Sequence, residues 1–294
     1  MVDFDGKVAV VTGAASGIGR ALAERFAAEG MRLVLADIEP APLQAAAEAL
    51  RATGAPVEWW VTDVADAAAV EALAETAYGR FGAVHVLCNN AGIVPGGRFR
   101  PIWEFAPEDW AWTMGVNLMG IVHGTASFVP RMRATGEWGH VVNTISVAGL
   151  FGGANSPVYS VSKHAALRAT EALHAALTEE NSPIGVTALC PGVVRTGIGT
   201  SERNRPQALR PVGQATRDSD AMRQAAAAVT TAGLEPETVA GMVVEAIRER
   251  RFYLITTAAF DSAIRTRMED ILARRNPTPV DLLALSKGDV GARG

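Results

Sequence analysis

The stretch V-A-V-V-T-G-A-A-S-G-I-G, Val8 to Gly19, decides the fold. Val8 to Thr12 is a short, largely β-branched apolar run, and a helical pattern from Arg20 to Glu29 follows the last glycine. Strand, glycine turn and helix in that order are what a nucleotide-binding turn requires. Gly13 permits a tight turn, Gly17 lets the main chain approach a pyrophosphate, and Gly19 lets the helix pack close. Ser16 and Ile18 complete the turn, where the helix N-terminus offers N–H groups to the anion. The spacing is G-x-x-x-G-x-G, not the commoner G-x-G-x-x-G.

Outward from this turn, strand and helix patterns alternate. Leu33 to Ala36 is a second strand ending in Asp37, eighteen residues beyond Gly19. An acidic side chain there can accept from both ribose hydroxyls, which points to NAD as cofactor. A helix (Ala41 to Thr53), a strand (Val57 to Val61), a helix (Asp66 to Phe81) and a strand (Val84 to Cys88) lead to N-N-A-G, Asn89 to Gly92. Such units build a parallel sheet covered on both faces by right-handed crossovers. The alternation continues with a helix from Pro107 to Arg133, a strand from Val141 to Ile145, a helix ending near Glu180 and a strand from Gly185 to Cys190. A helix (Pro236 to Arg248) and a strand (Phe252 to Thr256) complete the expected fold class: α/β, a doubly wound, seven-stranded parallel sheet with helices on both faces. Residues 1–260 read as a single domain, and 261–294 as a tail that is helical to Arg275.

Between the fifth strand and its helix lies the chemistry. Tyr159 and Lys163, four apart on a helix, share one face, so the ammonium can lie close to the phenol. A nearby cation favours the phenolate and makes it a usable general base. Ser146, at the carboxyl end of the strand, is placed to hold a substrate oxygen.

These motifs together resemble the short-chain dehydrogenase/reductase family, from about Gly6 to Thr256, with T-G-x-x-x-G-x-G, N-N-A-G, Y-x-x-x-K and P-G-V-V-R-T all present. The resemblance implies a Rossmann-type fold and hydride transfer between NAD and a secondary alcohol or ketone, with Tyr159 as acid/base, Ser146 holding the oxygen and Lys163 also binding the nicotinamide ribose. It further implies that Asp63 meets the adenine amino group and that Val64 contributes its backbone. Asn90, Ala91 and Gly92 would let the chain pass near the adenosine ribose. Pro191, Gly192, Val194 and Thr196 would face the nicotinamide carboxamide. Asn117 matches the family asparagine that holds a water beside the lysine; a buried helical asparagine satisfying backbone groups is the alternative. A homotetramer formed through the helices of Asn117 and Tyr159 is expected on the same ground. The run from Pro107 to Gly124 is similar to that of a subgroup that includes oxidants of bulky aryl alcohols.

The rest of the chain bounds this reading. Of 294 residues, 49% are apolar and 20% charged, enough for one large core, and a net charge of -4 suggests neither nucleic acid nor membrane as a partner. The N-terminus enters a strand without a signal-peptide pattern, which predicts a soluble cytoplasmic protein. Cys88 and Cys190 end strands with one strand between them, about 9–10 Å apart and too far for a disulfide. The five histidines are scattered, so no metal site is expected. Phe99, Trp103, Phe105, Trp110 and Trp112 either line a pocket or pack between helices, and packing is favoured for the last two. Residues 197–233 lose the strand period and carry Arg203, Arg205, Arg210, Arg217 and Arg223. They read as a substrate lid whose arginines either meet a substrate carboxylate or form a solvated face, the second being favoured. An NADPH-dependent ketone reductase and a catalytically idle nucleotide sensor are the rival readings; Asp37 argues against the first and the intact Asn117, Ser146, Tyr159 and Lys163 set against the second.

Overall fold

The computed structural model describes residues 2–96, 100–151, 156–211 and 232–280. Seven strands, β1 (Val8–Thr12), β2 (Arg32–Asp37), β3 (Val57–Val61), β4 (Val86–Asn89), β5 (Gly139–Thr144), β6 (Ile184–Cys190) and β7 (Tyr253–Ile255), form one sheet in the order β3-β2-β1-β4-β5-β6-β7. Every pairing is parallel. Among the described residues the α-helices are α1 (Gly17–Ala28), α2 (Pro40–Ala52), α3 (Ala67–Phe81), α4 (Pro107–Met114), α5 (Gly120–Thr135), α6 (Pro157–Glu179), α7 (Pro236–Glu249) and α8 (Asp261–Leu272). The expected strand ends shift by one or two residues: β4 starts at Val86, and β5 starts at Gly139 and stops before Ile145.

Strand periodicity sorts the core into two layers. Ala9, Val11, Leu33 and Leu35 pack on Leu22 and Phe26 of α1, Leu43 of α2 and Val243 of α7. Val8, Val10 and Val34 point the other way, onto Leu73 of α3, Phe128 of α5 and Leu177 of α6. Each such buried leucine or phenylalanine contributes about 1.5–3 kcal/mol over its exposed state. Local signals set the helix ends: the Asp66 side chain caps α3 by accepting from Ala68 N at 2.9 Å, and Gly82 closes it in the left-handed region at φ 77.

One expected helix proves to be interrupted. Between α4 and α5 the chain stays helical, but Gly115–Met119 is a π-helical turn, and Asn117 lies in it. A π turn adds a residue to the helix and redirects side chains, and such turns recur at functional sites. Because β4 lies on the opposite side of β1 from β2, the winding reverses between β1 and β4, which is where open α/β sheets bind ligands. Cys88 and Cys190 are buried free thiols on β4 and β6, with β5 between them. The α8 helix docks beside the loop after β5, where Phe260 stacks on Phe151 at 5.5 Å.

Candidate active site

At the switch point the turn after β1 meets the turn after β4. Thr12 joins them: its Oγ1 accepts from Asn90 N at 2.9 Å and Ala91 N at 3.1 Å, while Asn90 Nδ2 donates to Thr12 O at 3.0 Å. Gly17 adopts φ 54, a left-handed value that favours glycine. A Cβ on Gly19 would lie 2.1 Å from Gly13 O, so α1 reaches the turn only because Gly19 has no side chain. Behind the turn, Asp37 accepts from Ala15 N and Glu39 N, both at 3.0 Å. Burial raises its pKa against the lowering effect of those N–H groups.

Across the cleft, β5 delivers Ser146 and α6 delivers Tyr159 and Lys163. Ile145 N donates to Leu189 O at 2.7 Å and Val147 N to Pro191 O at 3.0 Å, which clamps the Ser146 turn to the end of β6. Ser146 Oγ accepts from Ala148 N at 3.1 Å, leaving its O–H to point elsewhere. Lys163 is 2% exposed; its Nζ donates to Thr144 O at 2.8 Å and lies 5.8 Å from the centre of the Tyr159 ring. Burial pulls its pKa down to about 8, so it still carries a proton at neutral pH. Cys190 touches the same region, and burial pushes its thiol up to about 12, keeping it neutral. Asn117 is fully buried: it accepts from Ile93 N at 2.8 Å and donates to Ile93 O and Ser162 Oγ, both at 3.0 Å. Its backbone-satisfying role is therefore present. It also sits beside Lys163, since a Cβ on Gly92 would be 3.3 Å from Lys163 Nζ and 3.4 Å from Asn117 Oδ1.

One cleft of about 340 Å³ is lined by every site residue expected from sequence except Gly19 and Asn117, which support it from behind. Sequence reasoning missed several of its other walls. Trp112 packs, as expected, but also lines the cleft, with Arg205 stacked on its ring at 4.3 Å. Trp103, by contrast, is 81% exposed, and Phe99 lies outside the described residues.

The first part of the expected lid is ordered as short 3-10 turns, Gly197–Asn204 and Gln207–Leu209, over the cleft. Of its described arginines, Arg203 and Arg210 are exposed as expected, but Arg205 is not. Arg205 is buried, with Nη2 2.7 Å from Asp109 Oδ1 and Nε 2.9 Å from Glu202 Oε2. Glu202 in turn accepts from Gly96 N at 2.7 Å. Arg203 forms a bidentate pair with Glu39 at 2.9 and 2.7 Å. A buried carboxylate such as Asp109 needs a cation to offset lost hydration, and Arg205 supplies it. Arg217 and Arg223 lie outside the described residues. Among the described residues no cluster of three potential metal ligands occurs, and no helix is long and apolar enough to cross a membrane.

The family model for short chain dehydrogenase matches residues 7–207. A short-chain dehydrogenase/reductase from Burkholderia phymatum, solved in complex with NAD, is 46% identical, with a TM-score of 0.91 over 96% of this chain and 100% of its own. The 1-deoxy-11-beta-hydroxypentalenate dehydrogenase of Streptomyces avermitilis is 38% identical over 90% of this chain and 89% of its own length. The C alpha-dehydrogenase of Sphingobium sp. is 32% identical over 87% of this chain and 82% of its own length.

Proposed function

The chain belongs to the short-chain dehydrogenase/reductase family, and on that premise we propose that it is an NAD-dependent oxidoreductase acting on a bulky or aromatic secondary alcohol or its ketone. The observation that carries this reading is the convergence of Ser146, Tyr159 and Lys163 on the same cleft as the glycine turn and Asp37. The turn fits a dinucleotide: a left-handed Gly17 and the uncapped N-terminus of α1 face the cleft, ready for a pyrophosphate. Asp37 keeps acceptor capacity after its two main-chain bonds, which suits ribose hydroxyls.

A bound NAD would be held by the glycine turn, Asp37 and Lys163 and would supply the acceptor for a hydride from the carbinol carbon. Tyr159, as phenolate, takes the proton from the hydroxyl oxygen; with the carbon-bound hydrogen and both electrons of its bond lost as hydride, the alcohol becomes the ketone and Tyr159 the neutral phenol. Ser146 Oγ donates to that oxygen and fixes it against Tyr159. Lys163 holds positive charge beside the phenol at neutral pH, which favours the phenolate. Asn117 holds Ile93 and Ser162 in place next to Lys163 and stands where a proton relay from the lysine would begin. The bulky-substrate part of the reading rests on the run from Pro107 to Gly124 and on the likeness to the hydroxypentalenate dehydrogenase. A homotetramer is part of the same proposal, supported by the exposed apolar side chains of Met119 and Val122 next to and on α5 and Val161 on α6.

Secondary alcohols of graded size offered with NAD, with reduced cofactor followed by absorbance, test the reading. Turnover of bulky or aryl alcohols ahead of short aliphatic ones is the expected result. Absence of reduced cofactor across the whole panel, in a protein shown to bind NAD, would contradict it.

A further inference from the structure

Two cations line the cleft, Lys163 at the catalytic end and Arg203 at the end marked by Asp37. Arg203 comes from the turn over the cleft, 166 residues from Asp37 in sequence, so no local motif announces it. Four of its five N–H groups are engaged: Nε and Nη2 on Glu39 at 2.9 and 2.7 Å, and Nη1 on Thr200 O and Oγ1 at 3.0 and 2.8 Å. Glu39 also takes a hydrogen bond from Asn204, and these donors, Arg203 first, hold its carboxyl below the usual range. Glu39 N donates to Asp37, and Asp37 adds to the field on Arg203, so the three charges form one group at the cleft rim.

We infer that Glu39 is a determinant of cofactor choice, acting through Arg203. This rests on the reading of Asp37 as the ribose-facing residue. A 2′-phosphate beside Asp37 needs a cation to offset the repulsion, and the planar fork of an arginine is the suitable partner. Arg203 is in reach but committed to Glu39, whose carboxylate both neutralises it and adds a second negative charge to the rim. Discrimination against NADP therefore depends on two carboxylates with distinct tasks: Asp37 repels the phosphate, and Glu39 withholds the arginine that would receive it.

The test is calorimetric titration of NAD and NADP into the wild type, E39Q, R203A and the E39Q/R203A pair, which needs no substrate and no turnover. The amide that E39Q introduces can still accept a hydrogen bond from the guanidinium but no longer neutralises it. In E39Q the ratio of NADP to NAD affinity is expected to rise at least about tenfold. In the double variant that gain is expected to vanish, because the cation is gone, and R203A alone is expected to show no gain. Two results overturn the inference: an unchanged ratio in E39Q, or a gain that survives loss of Arg203, which would assign the effect to the Glu39 charge alone. A wild type that binds NADP as tightly as NAD is a different failure, that of the Asp37 reading itself.

Discussion

The floor and the roof of the cleft are held by different physics. The floor, from Gly13 to Gly19 and from Asn89 to Gly92, is joined by main-chain groups and the small residues that let them meet: Thr12 Oγ1 on two N–H groups, and Gly19 against Gly13 O. The roof, Gly197–Leu209, is tied down by charged side chains that span the sequence: Arg203 to Glu39 across 164 residues and Arg205 to Asp109 across 96. A main-chain floor tolerates no added side chain but is indifferent to salt and pH. A roof held by ion pairs is set by charge, and these two pairs differ in burial, 3% exposure on both partners for Arg205 and Asp109 against 42% and 23% for Arg203 and Glu39.

The largest effect separates those two roof pairs. Arg205→Met leaves Asp109 buried without its direct partner and is expected to cost about 3–5 kcal/mol in urea unfolding, the usual result of breaking a buried pair on one side. Arg100, 3.6 Å from Asp109, can take up part of the charge and places the expected loss at the lower end. A loss below about 1 kcal/mol would mean that the roof is not anchored by this pair.

Next in size is Lys163→Met, which probes the buried cation beside the floor. Its folded pKa, about 8, lies below the ordinary 10.5. Above pH 10.5 neither state is charged and nothing is lost. As pH falls from 10.5 to 8 the unfolded chain takes up a proton that the folded protein does not, so stability drops; below 8 the full penalty, about 3 kcal/mol, is in force. Removing the charge recovers that penalty less about 1 kcal/mol for the lost Thr144 hydrogen bond. Lys163→Met is therefore expected to be more stable than wild type at about pH 7 while losing turnover, with the difference fading towards about pH 10. Urea midpoints at those two pH values on ligand-free protein decide it, and a less stable variant at neutral pH would show that burial of this cation is not costly.

Much of the floor was legible in the sequence because each constraint there is local. Gly17 and Gly19 are demanded by a turn that begins at Gly13, and Asp37 by the end of the adjacent strand. The Tyr159 and Lys163 pair is legible for the same reason, four residues on one helix face. The roof was not. Nothing around Arg205 reveals that Asp109, at the start of α4, will be buried beneath it, and a run of arginines in an irregular segment reads as a solvated surface. Asn117 was found by its motif, but the π turn that carries it was not, since Gly115–Met119 has the same apolar period as the helix around it. The signal that could have found the roof is the pairing of Glu202 with Arg205 at helical spacing beside proline, too common a pattern to single out.

Gly19→Ala sharpens the floor side of the contrast. A Cβ 2.1 Å from Gly13 O forces the main chain apart, at a cost of about 1–3 kcal/mol, and the shift falls on the phosphate-binding turn. Weaker NAD binding at both low and high salt is the expected outcome, and unchanged affinity would place the pyrophosphate elsewhere. The smallest effect belongs to Arg203→Ala, an exposed pair worth about 1 kcal/mol or less. It is expected to leave the unfolding midpoint nearly unmoved while thermolysin cleavage within residues 197–211, before Ile198 or Leu209, quickens. In the wild type the same cleavage is expected to quicken as salt screens the pair. A cleavage rate independent of both salt and Arg203 would remove this pair from the account of the roof.

All of these changes bear on how the cleft is built; Tyr159→Phe bears on what it does. The substitution deletes one oxygen and leaves the ring that packs beside Lys163. Turnover of whichever alcohol the panel identifies, measured alongside NAD affinity on the same samples, is the decisive comparison. Turnover is expected to fall by about 10²–10⁴ with affinity for NAD within about twofold of wild type, since proton transfer alone is lost. Near-normal turnover in the phenylalanine variant would contradict the assignment of Tyr159 as the acid/base.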